Sequence, residues 1–351
     1  MENKIELKGF LMKILNGTAM GIVVGLIPNA ILGEIFKALA PSHPIFKMIH
    51  TILLISQAAT PTLVGVFIAF QFKMNPIETA LLGMSTMIGS GIINVKEGTL
   101  VAVGIGDLIN TMVTASIAVY VMSLIRGKLG SLTMIIAPLI VVLVAGTIGT
   151  LLLPYVKQIT TGIGAIIKNF TELQPLLMSI LLSISFAIII VSPISTVAIA
   201  YAVGLQGLAS GAANMGIASA AMTLIVGAMY VNKVGIPFSV FLGSMKMYMP
   251  NWLKHPIMNI PLILNAIVAG IVTYVFNIQG TIASAGFGFS GLVGPINAYS
   301  LMQAGSAAVN ALIIFVSYFV ITFVSAYVIE IICTKVLKLY SRDIFIYEAN
   351  K

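Results

Sequence analysis

Charge is what this sequence has least of. Only 8% of its 351 residues are charged, ten acidic and eighteen basic, against roughly 25% in an ordinary soluble domain. A water-soluble globule is excluded, since its surface could not be covered. Cysteine occurs once, at Cys333, so neither a disulfide framework nor a Cys-rich metal site can be built, and a small buried residue is the plain reading. No stretch of even fifty residues has the polarity of an aqueous catalytic or DNA-reading module. There is no Gly-Lys-Ser/Thr phosphate loop and no Ser-His-Asp constellation, which disfavours ATP-driven pumping and hydrolysis within the chain. His43, His50 and His255 have no metal-ligand spacing on one helix face. No catalytic residue, metal or cofactor is therefore expected. The net charge of +8 reports loop orientation in such a chain, and no nucleic-acid partner is expected.

What is present is apolar length: 59% of the residues are hydrophobic. At ~20 residues per spanning helix, hydropathy gives candidate spans at about 11–39, 45–72, 76–95, 107–125, 131–155, 175–203, 207–231, 236–250, 256–278 and 306–334. The reading is an all-α integral membrane protein of ten transmembrane helices. The eighth segment is short, and its Met245, Met247 and Met249 with Lys246, Tyr248 and Trp252 suggest an interfacial stretch with an aromatic anchor. Between the fifth and sixth spans, Ile159, Ile163, Ile166, Ile167 and Phe170 fall at helical spacing opposite Lys157 and Lys168, as in an amphipathic interfacial helix. The expected organisation is an N-terminal half over 1–156, a linker helix over 157–171, and a C-terminal half over 172–351. No cleavable signal peptide is read. Lys4, Lys8 and Lys13 before the first span, and Lys335, Lys338, Arg342 and Lys351 after the last, put both termini in the cytoplasm by the positive-inside rule. Sixteen lysines against two arginines, with abundant isoleucine, suggest a bacterial source.

Two apolar stretches are poor as straight helices: Gly98 to Asp107, and Gly280 to Pro295, the second with five glycines in sixteen residues. Both read as re-entrant or broken segments, which the bilayer tolerates where they line a protein-enclosed cavity. They match each other, Gly98-Thr99 with Gly104-Ile105-Gly106 against Gly280-Thr281 with Gly286-Phe287-Gly288. Upstream, Lys73-Met74-Asn75-Pro76 before Leu82-Gly83 matches Lys233 to Pro237 before Leu242-Gly243. Two five-span halves of opposite orientation follow, an inverted repeat of the kind that frames a transporter's binding site.

Asp107 is the sharpest polar feature, with Asn110 three residues on at the start of a span. It is either the helix N-cap, a ligand or ion contact, or a helix-packing group. Lys96 and Glu97, which border the same Gly-rich segment at its other end, read as a solvated loop pair. Glu172 reads as a first-turn acid of the sixth span, and Glu330 as a structural residue reaching Lys335 or snorkelling. Asn29, Asn214, Ser290 and Asn297 either join helices through hydrogen bonds or, beside Pro and Gly breaks, converge on a neutral polyhydroxyl ligand.

The string Ala285 to Asn297, with Gly104-Ile105-Gly106-Asp107-Leu108-Ile109-Asn110 upstream, resembles the membrane subunit EIIC of the bacterial phosphotransferase system, and in particular its stand-alone, PfoR-type branch. The likeness extends to Gly21 through Asn29 and Gly211 through Met222. It implies a homodimeric sugar permease in the bacterial cytoplasmic membrane, with a cavity near two re-entrant hairpins. Separate EIIA and EIIB proteins would supply phosphorylation, at most making this chain the membrane subunit of a sugar phosphotransferase complex. Glucose-type relatives carry Thr-Glu-Pro-hydrophobic-Glu, whose first Glu contacts the sugar. Here Gly294 and Asn297 stand at the two acids, so that contact is not carried over. The expected cavity residues are Asp107, Asn110, Ser290, Asn297, Asn29 and Asn214, with Gly104, Gly106, Gly286 and Gly288 allowing backbone approach to the solute. The alternatives are a non-transporting sensor or regulator with this fold, and an ion-coupled secondary carrier working through Asp107.

Overall fold

A computed structural model of the chain describes residues 7–96, 98–303 and 305–347. The expected Lys96–Glu97 pair and the terminal Lys4 and Lys351 involve residues outside these. Among the described residues six helices are long and apolar enough to cross a bilayer, or seven if a pair bent by 44° at Ala59 is one span. The exposed faces of these helices are apolar: Ile135, Leu139, Leu143 and Leu151 on one of them are each more than half exposed. Water does not tolerate such a surface, and lipid does. This is a multi-pass membrane protein.

The chain divides into two compact units, residues 1–29 with 39–159, and residues 30–38 with 160–351. The first unit holds most of α1 (Leu7–Leu39), then α2 (Pro44–Ala58), α3 (Thr60–Gln71), α4 (Pro76–Gly89), β1 (Ile93–Lys96), β2 (Thr99–Ala102), α5 (Leu108–Ile125) and much of α6 (Thr133–Phe170). Glycines four apart on α1 let α3 lie against its backbone. A Cβ at Gly17 would come 2.5 Å from Ile68 Cα, and one at Gly21 2.4 Å from Val64 Cα. Such small-residue stripes replace the hydrophobic driving force that helices lack in lipid. Asn75 and Glu78 form a reciprocal capping box at the start of α4. The other oxygen of buried Glu78 pairs with Arg126 Nε at 3.0 Å, while Arg126 also donates to the Lys73 carbonyl.

Two expectations change here. The stretch from Gly98 is not a broken helix: it supplies the second strand of an antiparallel hairpin with Ile93 opposite Ala102. All four residues of that strand are exposed, and an open two-stranded ribbon leaves backbone groups unpaired, which hydrocarbon penalises. The amphipathic segment 157–171 is not a separate linker either. It continues the fifth span as the end of α6, whose 38 residues reach about 57 Å, well past the ~30 Å hydrocarbon core.

The second unit is built around α9 (Leu208–Met229), in which every residue from Ala209 to Ala228 is buried. A helix apolar all round belongs in an interior. Against it pack α7 (Pro175–Val191), α8 (Thr196–Val203), α10 (Gly235–Phe241), α11 (Met249–Lys254), α12 (Asn259–Val275), α13 (Val293–Leu301), α14 (Ala307–Phe315) and α15 (Thr322–Ile331), directly or through one another. Asn265 of α12 is the principal tie. Its Nδ2 donates to Ser219 O, Thr223 Oγ1 and Thr322 O, and its Oδ1 accepts from Ser325. The expected sixth span is broken at Ser192–Ser195, where Pro193 removes a backbone donor and disfavours helix in the residue before it. The expected eighth span is three short pieces, and its Met245, Lys246, Met247, Tyr248 and Met249 are buried rather than interfacial.

At the C-terminus, Glu330 meets Arg342 at 3.1 Å and accepts from the Tyr340 hydroxyl at 2.7 Å, rather than reaching Lys335. Burial, and then the Glu330 carboxylate, push the Tyr340 phenol up. The tail that follows is strapped down by Asn232, Tyr248 and Asn251, which donate to the Phe345, Ile344 and Ile346 carbonyls.

The packing of α9 on α7 gives a test. A Cβ at Gly216 would lie 2.2 Å from the Ser183 carbonyl oxygen, whereas nothing lies within 4 Å of one at Gly235. Gly216→Ala should cost ~1–3 kcal/mol by overpacking, and Gly235→Ala should leave stability unchanged. Thermal melts of the purified proteins decide it.

Candidate functional site

The ten residues expected at a solute site fall into both units. Asn29, Gly104, Gly106, Asp107 and Asn110 belong to the first, and Asn214, Gly286, Gly288, Ser290 and Asn297 to the second.

In the first unit Asp107 is the N-cap of α5, accepting the Asn110 backbone N–H at 2.8 Å. Its own N–H donates to the Ser90 carbonyl. Gly104 and Gly106 make the turn into that cap, both at positive φ. Asn110 is fully buried, and its Nδ2 donates to the Gly89 carbonyl at the end of α4 and, at 2.7 Å, to the Gly149 carbonyl of α6. Its Oδ1 is buried with no partner, as is the neighbouring Thr114 hydroxyl. A Cβ at either Gly89 or Gly149 would strike Thr114, so three helices meet around this amide. Asn29 donates to Gln57 Oε1 and keeps a buried oxygen unpartnered.

In the second unit the Gly-rich segment 280–292 is a chain of turns laid on α8 and α9. Its start is fixed by a reciprocal backbone pair between Gly280 and Gly207, and by Ser210 Oγ donating to Thr281 O. Thr196, at the first turn of α8, donates to the Gly286 carbonyl at 2.7 Å. Asn214, inside α9, accepts the Gly288 N–H at 3.0 Å, and the Gly288 carbonyl accepts from Gly294 N–H. Glycine is required at 286 and 288: both have positive φ, and a Cβ would collide with Thr196 and Val197 or with Ile217. Beyond the segment, Asn297 on α13 accepts from Thr281 Oγ1 at 2.8 Å and is half-buried.

Several polar groups around this segment are left over. Asn214 Nδ2 and the hydroxyls of Ser244, Ser317 and Tyr318 are buried without a partner. The Tyr318 hydroxyl lies 3.2 Å from where a Cβ of Gly294 would be. Tyr318 and Ser317 sit in a π-helical turn, Val316–Ile321, between α14 and α15, a distortion found often at functional sites. Phe289 of the segment, Phe241 and Phe319 form a triangular aromatic cluster, with centroids 5.4 Å apart from Phe289 to each of the others and 6.3 Å between Phe241 and Phe319. Among the described residues no three His, Cys, Asp or Glu side chains come together. A cleft of about 310 Å³ lined by Met178, Gly204, Gln206 and Leu208, among others, includes none of these leftover groups.

Sequence reasoning passed over Tyr318, Thr196 and the role of Lys246. The Ser192-Pro193 pair inside an apolar run was the available signal for the last two. For Tyr318 there was none, since a tyrosine in a continuous apolar helix reads as packing.

The joint at Asn110 carries its own test. Asn110→Ala strands the terminal Gly89 carbonyl inside the protein, at ~1–3 kcal/mol, and should lower the melting temperature. Asp107→Asn keeps an acceptor for the cap and should shift it much less.

Residues 12–347 match the family model of the phosphotransferase system EIIC. Comparison with curated proteins and with solved structures found no match. A match over nearly the whole length of a multi-pass chain places this protein in the EIIC family, as a membrane permease component of the phosphotransferase system.

Proposed function

We propose that this EIIC protein binds and translocates a neutral polyhydroxyl solute, a carbohydrate, at the Gly-rich segment of its second unit, and that a separate cytoplasmic EIIB, charged by EIIA, does any phosphorylation. The observation that carries this reading is the buried Asn214. One end of its amide holds the Gly288 peptide, and the other is an unused donor. An unpaired buried polar group costs ~1–3 kcal/mol, and a ligand hydroxyl would satisfy it. Ser290, the Asn297 amide and the Tyr318 hydroxyl offer further neutral groups nearby in the chain's fold. The aromatic faces of Phe241, Phe289 and Phe319 suit the C–H faces of a sugar ring. No acid occurs between Gly280 and Asn297, which fits an uncharged solute better than a cation.

On this reading the chain is of the stand-alone, PfoR-type branch, a homodimer in the bacterial cytoplasmic membrane with both termini inside. We count ten crossing or part-crossing segments, the six long helices and the bent pair α2–α3 taken as one span, plus α4, α7 and the broken stretch 235–254, arranged as two inverted halves. Asp107 and Asn110 are assigned to solute contact in the first unit. The same lack of acids at Gly294 and Asn297 favours, as a second reading, a sensor that binds the solute without passing it to EIIB.

Detergent-purified protein should melt higher with one class of free sugar, because binding to the folded state alone raises its stability. Asn214→Ala and Asn297→Ala should weaken that sugar roughly 10-fold each, the loss of ~1.4 kcal/mol of hydrogen bonding. No shift across neutral sugars, amino sugars and sugar phosphates with well-folded protein would overturn the proposal.

A further inference from the structure

Lys246 is buried to 8% exposure, and among the described residues it meets no carboxylate. Its ammonium donates instead to two backbone carbonyls, Ser192 O at 2.5 Å and Ile194 O at 2.8 Å. Both belong to the break between α7 and α8. Pro193 has no N–H to offer the last turn of α7, and the Ile194 N–H is taken by the Ser192 hydroxyl at 3.2 Å. The break therefore gathers carbonyl oxygens at the C-terminal, electronegative end of a half-helix. In membrane carriers with discontinuous helices, unwound carbonyls and half-helix C-termini are the donor set that coordinates a monovalent cation. Here the positive charge placed among them is a side chain.

We propose that the α7–α8 break is a monovalent-cation site whose occupant is the protein's own Lys246 ammonium. The charge neutralises the end of α7, and the two carbonyls replace the water the amine has lost. Ammonium and potassium ions are close in size, so the vacated site would take K⁺ or NH₄⁺. The consequence for the native protein is that this joint needs no dissolved ion. From the same break, α8 runs to the Gly-rich segment through the bond from Thr196 to Gly286, so the position of that segment is set by a tethered charge and is insensitive to sodium and potassium. This inference is independent of which solute the protein binds.

The test is thermal unfolding of the full-length wild type, Lys246→Ala and Lys246→Gln in choline, sodium, potassium and ammonium chlorides at equal ionic strength. Wild type should melt at one temperature, within ~1 °C, in all four salts, since its site is filled and binding alone would shift it. Lys246→Ala should melt ~5 °C lower in choline and regain at least half of the loss in potassium or ammonium. A wild-type melting point that rises with sodium or potassium would show an open site and overturn the proposal, as would a Lys246→Ala protein indifferent to every cation. Should Lys246→Ala fail to fold, Lys246→Gln decides. Its amide donates to the same carbonyls without charge, so melting equal to wild type would show that the cation is dispensable, and melting lower by ~3 °C or more would support the charged occupant.

Discussion

A chain with this little charge, folded in hydrocarbon, has no solvent to satisfy a backbone group exposed by a break in a helix. Most of the polar side chains that matter here answer that constraint. Asn110 takes the carbonyl left at the end of α4, and Asp107 takes an N–H at the start of α5. Lys246 takes two carbonyls where α7 stops. Asn214 takes an N–H of the Gly-rich segment from within the most buried helix of its unit. Where such a side chain has a second hydrogen-bonding group with nothing to meet, as at Asn214, the fold holds unspent binding capacity.

Close helix packing depends on the same solvent. Since lipid gives helices no hydrophobic reason to associate, contact must come from shape. The stripe Gly17, Gly21 and Gly25 on α1, Gly216 on α9 and Gly270 on α12 each admit a neighbouring backbone where a methyl group would not fit. In the second unit the Gly216 and Gly270 contacts seat α9 and α12 on α7, and the turns of residues 280–292 rest on α9 and α8. A loop this rich in glycine is held in one conformation by the Gly207–Gly280 backbone pair and by Thr196, Ser210 and Asn214, each of which fixes a peptide group of it.

Much of this is legible in the sequence. The long apolar runs at the first, fourth, seventh, ninth and tenth predicted spans correspond to helices, and the family resemblance carried by Ala285 to Asn297 agrees with the match over 12–347. The Asp107 cap is one of three roles its sequence position allows, and the local spacing to Asn110 suggests it. Hydropathy misled where a run of apolar residues was interrupted by one proline. Residues 175–203 are uniformly apolar on average, yet Pro193 splits them into α7 and α8. It misled in the opposite sense at residues 157–171, where a shift in amphipathic pattern without a helix breaker left α6 continuous.

The sequence by itself determined the solvent, the helical class and the family, because these depend on composition and local periodicity, which averaging over many residues preserves. Tertiary structure alone decided which polar groups are spent and which are free. Asn110 and Asn214 look equivalent as amides in apolar helices, but Asn110 uses its NH₂ to bridge two carbonyls of neighbouring helices and keeps its oxygen unpaired, while Asn214 holds one peptide through its oxygen and keeps its NH₂ unpaired. The same holds for Lys246, which reads as an interfacial residue by its neighbours and lies buried against a break 52 to 54 residues away in the chain. Hydrogen bonding is directional and short in range, so its outcome is fixed only once helices distant in sequence have been brought together.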